Sequence, residues 1–389
     1  MRETLQELKS FFRKGDMVLL ILCLATSAFG CLVVASATNA AKFGGSTRYM
    51  AVQLVATGIG VLMYAIMSSI NVDAFAEHRT VFTILNLCLI FLLIPFGTDN
   101  NTGNKSWIPI PFIGIHVQPA EICKIFYIMI MASVMASHQN RISHIWSVGH
   151  IVIHFLLIAG CNFLISGDLG VTLVFAAIFI GMAIAGGIGK LWIAGGIGGV
   201  AALFPIVWTT LLSEKQQNRI LVLFIPEVID PTGLDERWHT TSSLNSLTGG
   251  GMLGQGLFNG NRTQGGQLFA QHTDYIFSSI GEELGFIGCL LVVVLLIAII
   301  VRCIWVGYQS KDYMRRLICF GAAFAMMFQT MINIGMCIGV MPVVGLTLPL
   351  ISYGGSSIIT IYMMLGLVSG VHARPAPRSH ERYIRPPRY

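Results

Sequence analysis

The chain has 389 residues, of which 54% are hydrophobic and only 11% charged, with a formal net charge of +6. A soluble globular domain carries roughly 25% charged residues, so the composition excludes a soluble enzyme and points to a membrane protein. The nine cysteines lie in or beside apolar runs with no Cys-x-x-Cys pair, which reads as packing and not as a disulfide or metal framework.

Ten stretches are long and apolar enough to span a bilayer, which takes about 20 residues. They fall at roughly 17–38, 48–70, 79–96, 120–137, 145–165, 169–186, 190–212, 279–303, 315–340 and 352–371. The predicted fold is therefore all-α, a polytopic integral membrane protein in three parts. An amphipathic lead over 1–16 sets Leu5, Leu8, Phe11 and Phe12 against Arg2, Lys9, Arg13 and Lys14. A single transmembrane domain covers 17–371, and a basic, proline-containing tail covers 372–389. Met17 to Thr38 exceeds the apolar core of a cleaved signal peptide and is read as an uncleaved first span. With ten spans, about two thirds of the 24 Lys and Arg residues share the side of the N-terminus. The positive-inside rule then puts both termini in the cytoplasm and the long polar loop over 213–278 outside. The positive charge is thus a topology signal and no argument for nucleic acid.

Four places carry chemistry. The first is the start of the fourth span, Gln118-Pro119-Ala120-Glu121-Ile122-Cys123-Lys124. Pro119 suits a first helical position, and Glu121 and Lys124 share a helix face. They read as a salt bridge anchoring the helix, or as a carboxylate and a cation lining a polar cavity. Asp168, in Ser166-Gly167-Asp168-Leu169-Gly170, reads as the N-cap of the sixth span or as a second acidic group of that cavity.

The long loop is the third. Its glycines at 249–251, 254 and 256 permit close backbone approach to a ligand or an acceptor strand. Asn218, Arg219, Arg237 and Arg262 are candidates for phosphate oxygens. The loop ends in His272-Thr273-Asp274-Tyr275. Asp274 reads as a helix cap, as a base with a raised pKa, or as a ligand for a hard cation such as Mg²⁺ or Mn²⁺. The fourth place is the run from Pro342 to Ser357, with two prolines and three glycines in an apolar stretch. Irregular backbone at membrane depth is tolerated where it is buried in protein or lines a wet cavity, and such segments recur at substrate sites.

Taken together and in this order, four motifs resemble the SEDS family, whose members include RodA, FtsW and SpoVE. They are Gln118 to Lys124, Asp168-Leu169-Gly170, His272-Thr273-Asp274-Tyr275-Ile276-Phe277 with Gly281-Glu282-Glu283-Leu284-Gly285, and Leu348-Pro349-Leu350-Ile351-Ser352-Tyr353-Gly354-Gly355-Ser356-Ser357. The resemblance covers essentially the whole chain. It implies a bacterial peptidoglycan glycosyltransferase that polymerises lipid II at the outer face of the cytoplasmic membrane, beside a class B penicillin-binding protein. It puts Asp274 on the family's essential acidic residue, Glu121, Lys124 and Asp168 on its cavity charges, and Ser352 on its cavity serine. Arg219 and His272 join these as substrate-binding candidates. Several positions depart from the family pattern. Ser166-Gly167 stands where Gln-Pro is usual, Ala120 where serine is usual, and Leu268-Phe269-Ala270-Gln271 where Leu-Pro-Glu precedes the histidine. Arg219-Ile220-Leu221, Pro226-Glu227 and Asp230-Pro231 lean towards RodA. A lipid II flippase is the alternative, since the same cavity suits transport. A non-catalytic scaffold is the third reading, and it predicts that Asp274 is dispensable.

Overall fold

In the computed structural model, residues 15–40, 47–98, 104–110, 115–233 and 235–374 are described. Most of the amphipathic lead (1–14) and of the basic tail (375–389) lies outside them. Ten helices among the described residues are long and apolar enough to cross a membrane. They are α1 (Met17–Ala37), α2 (Arg48–Ser69), α3 (Arg79–Phe96), α4 (Pro119–Ser137), α5 (Ile145–Ser166), α6 (Leu169–Gly186), α7 (Lys190–Thr210), α8 (Ile276–Gln309), α9 (Tyr313–Cys337) and α10 (Gly355–Ala373). A helix satisfies its backbone polar groups internally, which is why it is the form these apolar runs take in lipid.

The ten expected spans are all present, with shifted edges. α8 starts three residues earlier than expected and runs on to Gln309, but it is two helices joined at Gly285, whose φ of 66° and ψ of −164° are not helical. α5 contains a π-helical turn at Leu156–Gly160. α6 begins where Gly167, at φ 68°, ends α5 in a left-handed turn. The run before α10 is not helical, and α10 itself begins at Gly355.

α4 lies at the centre, with 78% of its apolar stretch buried, while α7 has none of its residues buried. α2 packs along α10, and α9 packs against both α6 and α8. Two ion pairs fasten the end of the bundle near the termini. Asp16 caps α1 through Leu19 N–H at 3.0 Å and takes the guanidinium of Arg302 at 2.8 and 3.0 Å. Arg315 pairs with Asp73 at the same end. Each partner neutralises the other, so these charges hold helices together and leave no isolated ion in lipid.

The long loop at the opposite end is folded. Helices Glu214–Leu221, Pro226–Ile229, Glu236–Gly250 and Asn261–Gln264 occupy it. A two-stranded hairpin, β1 (Ile108–Ile110) with β2 (Ile115–Val117), sits before α4.

Candidate functional site

Asp274 stands in a turn between the long loop and α8. The helix starts at Ile276 with Tyr275 as its cap residue, and no side chain caps it. The capping alternative for Asp274 is therefore wrong, and its carboxylate is not spent on the helix end. The turn is held from two sides. Asn333 of α9 donates its amide N–H to Asp274 O at 2.8 Å and to Leu346 O at 2.7 Å. Ser352 donates its hydroxyl to Thr273 O at 2.6 Å and accepts Leu348 N–H at 2.8 Å. Tyr353 N–H adds a bond to His272 O at 2.8 Å. Gln53 of α2 then reaches Ser352 O at 3.1 Å.

The irregular segment before α10 is thus laced to the Asp274 turn, with its apolar side chains Leu346, Leu348, Leu350 and Ile351 buried. That is the condition under which unpaired backbone survives at membrane depth. Ala270 (φ 41°) and Leu350 (φ 63°) hold left-handed backbone that L side chains rarely adopt. Each such residue costs about 1–3 kcal/mol and persists where its surroundings over-determine it. Both lie within four residues of a candidate site residue.

Burial pushes the Asp274 carboxyl up to about 6, with Arg219 acting against the shift and Asp168 adding to it. Arg219, Asp168 and Asp274 therefore share one electrostatic site, although they come from three segments. The helix carrying Arg219 is placed by Gln216, whose amide donates to Gly167 O at 3.0 Å, next to Asp168. The same Gln216 closes a capping box with Ser213.

Asp168 fills the N-cap role expected of it. It caps α6, accepting Val171 N–H at 3.1 Å, and its other oxygen takes Ser106 Oγ and Gln118 Nε2, each at 3.2 Å. Its carboxyl is raised, chiefly by burial, with Glu121 adding to the rise. The acidic groups thus run in sequence from Glu121 through Asp168 to Asp274. At the far end Lys124 pairs with Glu121 at 2.7 Å, and both are 5% exposed. Thr360 of α10 donates to the other Glu121 oxygen at 3.1 Å. The anchoring salt bridge is therefore real, and it stands inside the bundle beside the acidic row.

Ser352 and His272 lie at the site in different ways. The Ser352 hydroxyl is committed to backbone partners, so its role is to hold the turn. His272 sits in a ring cluster with Tyr49 and Tyr353 at centroid distances of 5.2 and 5.6 Å.

Within the glycine run, Gly250 and Gly254 make their close approach to the backbone of α8. Gln255 N–H and Gly256 N–H donate to the carbonyls of Glu282 and Glu283 at 3.0 and 2.9 Å. A Cβ on Gly254 would stand 2.2 Å from Glu283 O. The side chains of those two glutamates complete the dock. Glu282 accepts Arg262 N–H, Thr263 N–H and Thr263 Oγ at 2.8, 2.9 and 2.6 Å, and Glu283 accepts Gln264 Nε2 at 2.7 Å. Sequence reasoning missed Asn333, Gln53 and this glutamate clamp. Their signal was present, as polar residues inside apolar spans that have to find partners.

Among the described residues no group of three or more His, Cys, Asp or Glu side chains is gathered as a metal cage. The donor set fits a hard cation in a narrower way, since Mg²⁺ is commonly held by one or two carboxylates plus substrate phosphates, and Asp274 supplies one carboxylate.

A ten-helix membrane bundle with a buried glutamate and two half-buried aspartates beside a folded loop defines a class of integral membrane protein, and comparison with known proteins places it. The family described as "Cell cycle protein", FtsW/RodA/SpoVE, matches residues 16–376, and the chain belongs to that family. It is a multi-pass protein of the bacterial cytoplasmic membrane. It is 30% identical to the probable peptidoglycan glycosyltransferase FtsW of Trichlorobacter lovleyi, over 92% of this chain and 93% of that one. It is 28% identical to the peptidoglycan glycosyltransferase MrdB of Escherichia coli, over 94% and 95% of the two chains. Among solved structures, a chain of a peptidoglycan synthase complex that coordinates polymerization and crosslinking superposes with a TM-score of 0.76 at 27% identity, covering 92% of this chain and 97% of that one. The rod shape determining protein RodA of Thermus thermophilus shares the fold, with a TM-score of 0.67 at 24% identity over 92% and 96% of the chains.

Proposed function

We propose that this chain is a peptidoglycan glycosyltransferase that polymerises lipid II into glycan strands at the outer face of the membrane. The observation that carries the reading is Asp274, a carboxylate with no capping duty, a pKa raised to about 6, and a backbone clamped by α9 and the irregular segment. The relatives named as peptidoglycan glycosyltransferases support the reaction class.

Transfer from a polyprenyl diphosphate requires the acceptor 4-hydroxyl to lose a proton as its oxygen attacks the anomeric carbon. The bond from that carbon to the diphosphate breaks, and the diphosphate leaves with the electron pair. Asp274 receives the proton. A pKa near 6 leaves it ionised at neutral pH yet basic enough to share the proton in the transition state, an effect worth about 10²–10⁴ in rate. Arg219, close enough to act on Asp274, is placed to meet the developing charge on the diphosphate. A divalent cation arriving with that diphosphate would be held at Asp274 and would supply charge neutralisation. Glu121, Lys124 and Asp168 fix the field behind Asp274, and Ser352 positions the turn.

Both termini lie in the cytoplasm in this reading, and the folded loop faces out. A class B penicillin-binding protein is the proposed partner, because a strand made outside must be crosslinked there. The peptidoglycan synthase complex similar to this chain coordinates both steps.

The test uses purified protein in lipid vesicles, supplied with lipid II and with a class B penicillin-binding protein whose active serine is replaced. Glycan strands that appear with the wild type and vanish with Asp274→Ala, with and without added Mg²⁺, are the expected result. Lipid II that crosses the vesicle membrane without forming strands would overturn the reading in favour of a transporter. Strands that persist in Asp274→Ala would remove Asp274 from the chemistry.

A further inference from the structure

The ring cluster beside Asp274 takes no part in the proton transfer or in diphosphate release. We propose that Tyr49, His272 and Tyr353 form a saccharide platform, which receives the face of an N-acetylated amino-sugar ring next to the carboxylate. The proposal rests on the glycosyl-transfer reading above and names the side chains that hold the sugar.

Three segments meet here. Tyr49 comes from the first turn of α2, His272 from the turn before α8, and Tyr353 from the end of the irregular segment. The three ring centroids lie 5.1, 5.2 and 5.6 Å apart, and Tyr49 meets both neighbours edge to face. All three rings are half-buried, so part of each remains open. The interior aromatic cluster of this chain looks different. Tyr127 and Phe175 pack edge to face at 5.2 Å with no exposure, deep between spans. In the Tyr49, His272 and Tyr353 cluster, by contrast, every ring carries a polar atom and none is fully buried.

The cluster is also rigid. Tyr353 N–H holds His272 O, Ser352 holds Thr273 O, and Gln53, one helical turn beyond Tyr49 on α2, holds Ser352 O. His272 is two residues from Asp274, a separation of at most about 7 Å between their Cα atoms. A pyranose offers an apolar C–H face that packs on an aromatic surface, while its hydroxyl and acetamido rim seeks polar groups. Tyr and His rings supply both at low entropic cost. A platform fixed to the same turn as the base orients the acceptor hydroxyl towards Asp274.

Two measurements test this. Initial polymerisation rates against lipid II concentration are compared for wild type, Tyr49→Leu, Tyr353→Leu and Tyr49→Phe. The leucine variants are expected to raise KM about tenfold, with the loss falling on KM more than on kcat, and Tyr49→Phe to restore most of the affinity. Unchanged KM in leucine variants that melt like the wild type would overturn the platform. Because a leucine variant can fail to fold, the second measurement uses the wild type alone. Aromatic protons are saturated in the presence of a soluble β-1,4-linked N-acetyl amino-sugar tetrasaccharide. Transfer of saturation to the sugar C–H protons is expected, and no transfer would overturn the proposal. The two readings fail separately. Transfer without any strand synthesis by the wild type contradicts glycosyl transfer and leaves the platform standing. Synthesis without transfer or KM effects does the reverse.

Discussion

Asp274 is held in a position that costs the fold something. Burial raises its carboxyl to about 6 against an ordinary value of 3.8. Between those two pH values the folded protein keeps a proton that the unfolded chain has released. Stability is therefore fully present below the ordinary carboxylate range and falls as pH rises through about 6. Asp274→Asn removes the penalty. Its melting temperature in detergent is expected to exceed the wild-type value at pH 8, and the gap to close towards pH 4, while polymerisation falls by about 10²–10⁴. Thermal denaturation at the two pH values checks the first half and strand synthesis the second. The single-residue readings divided for a physical reason. The Asp168 cap and the Glu121–Lys124 salt bridge follow local rules of helix starts and helix faces, and both are present. The cap reading of Asp274 failed because helix capping is decided by the φ/ψ of the residue before the first turn, which sequence leaves open.

At the scale of elements, α8 and the glycine run form one device. Gly285 takes a non-helical conformation, and a Cβ there would stand 2.4 Å from Gly254 N, while one on Gly254 would stand 2.2 Å from Glu283 O. The backbones touch, so no side chain fits between them. Gly254→Ala and Gly285→Ala are each expected to destabilise by about 1–3 kcal/mol or more. Gly198→Ala on α7 is the contrast. A Cβ there meets nothing within 4 Å, so the change is expected to be neutral or to stabilise the helix by up to about 1 kcal/mol. Urea or heat denaturation of the three purified variants distinguishes them. The glycines were visible in the sequence as places of close approach, but what they approach was not. Contacts between residues 254 and 285 depend on the tertiary path, and no local periodicity encodes them.

The whole molecule was the most legible level. Ten apolar runs gave ten helices, because backbone polar groups in lipid leave few alternatives to a helix. The irregular run before α10 was readable for the complementary reason, since Pro342, Gly345, Pro349, Gly354 and Gly355 make a continuous helix there unfavourable. The ends of the runs were less legible. α8 runs from Ile276 to Gln309, beyond the expected 279–303, and the Glu282 and Glu283 it carries are satisfied by partners on the loop. Orientation yields a prediction at this scale. In a variant with its native cysteines replaced, Lys215→Cys in intact cells is expected to react with a membrane-impermeant maleimide. Arg141→Cys is expected to react only after permeabilisation. The opposite pattern would invert the molecule and move Asp274 to the cytoplasmic face.

The most direct measurement of the central claim is the pH dependence of kcat/KM for lipid II polymerisation by the wild type in vesicles. The account predicts a rate that rises with pH through about 6, as the Asp274 carboxyl ionises, and then levels, together with a residual Asp274→Asn rate that lacks this rise. A wild-type profile that is flat from pH 5 to 8, or an Asp274→Asn enzyme that keeps both the rise and the rate, would contradict Asp274 as the base.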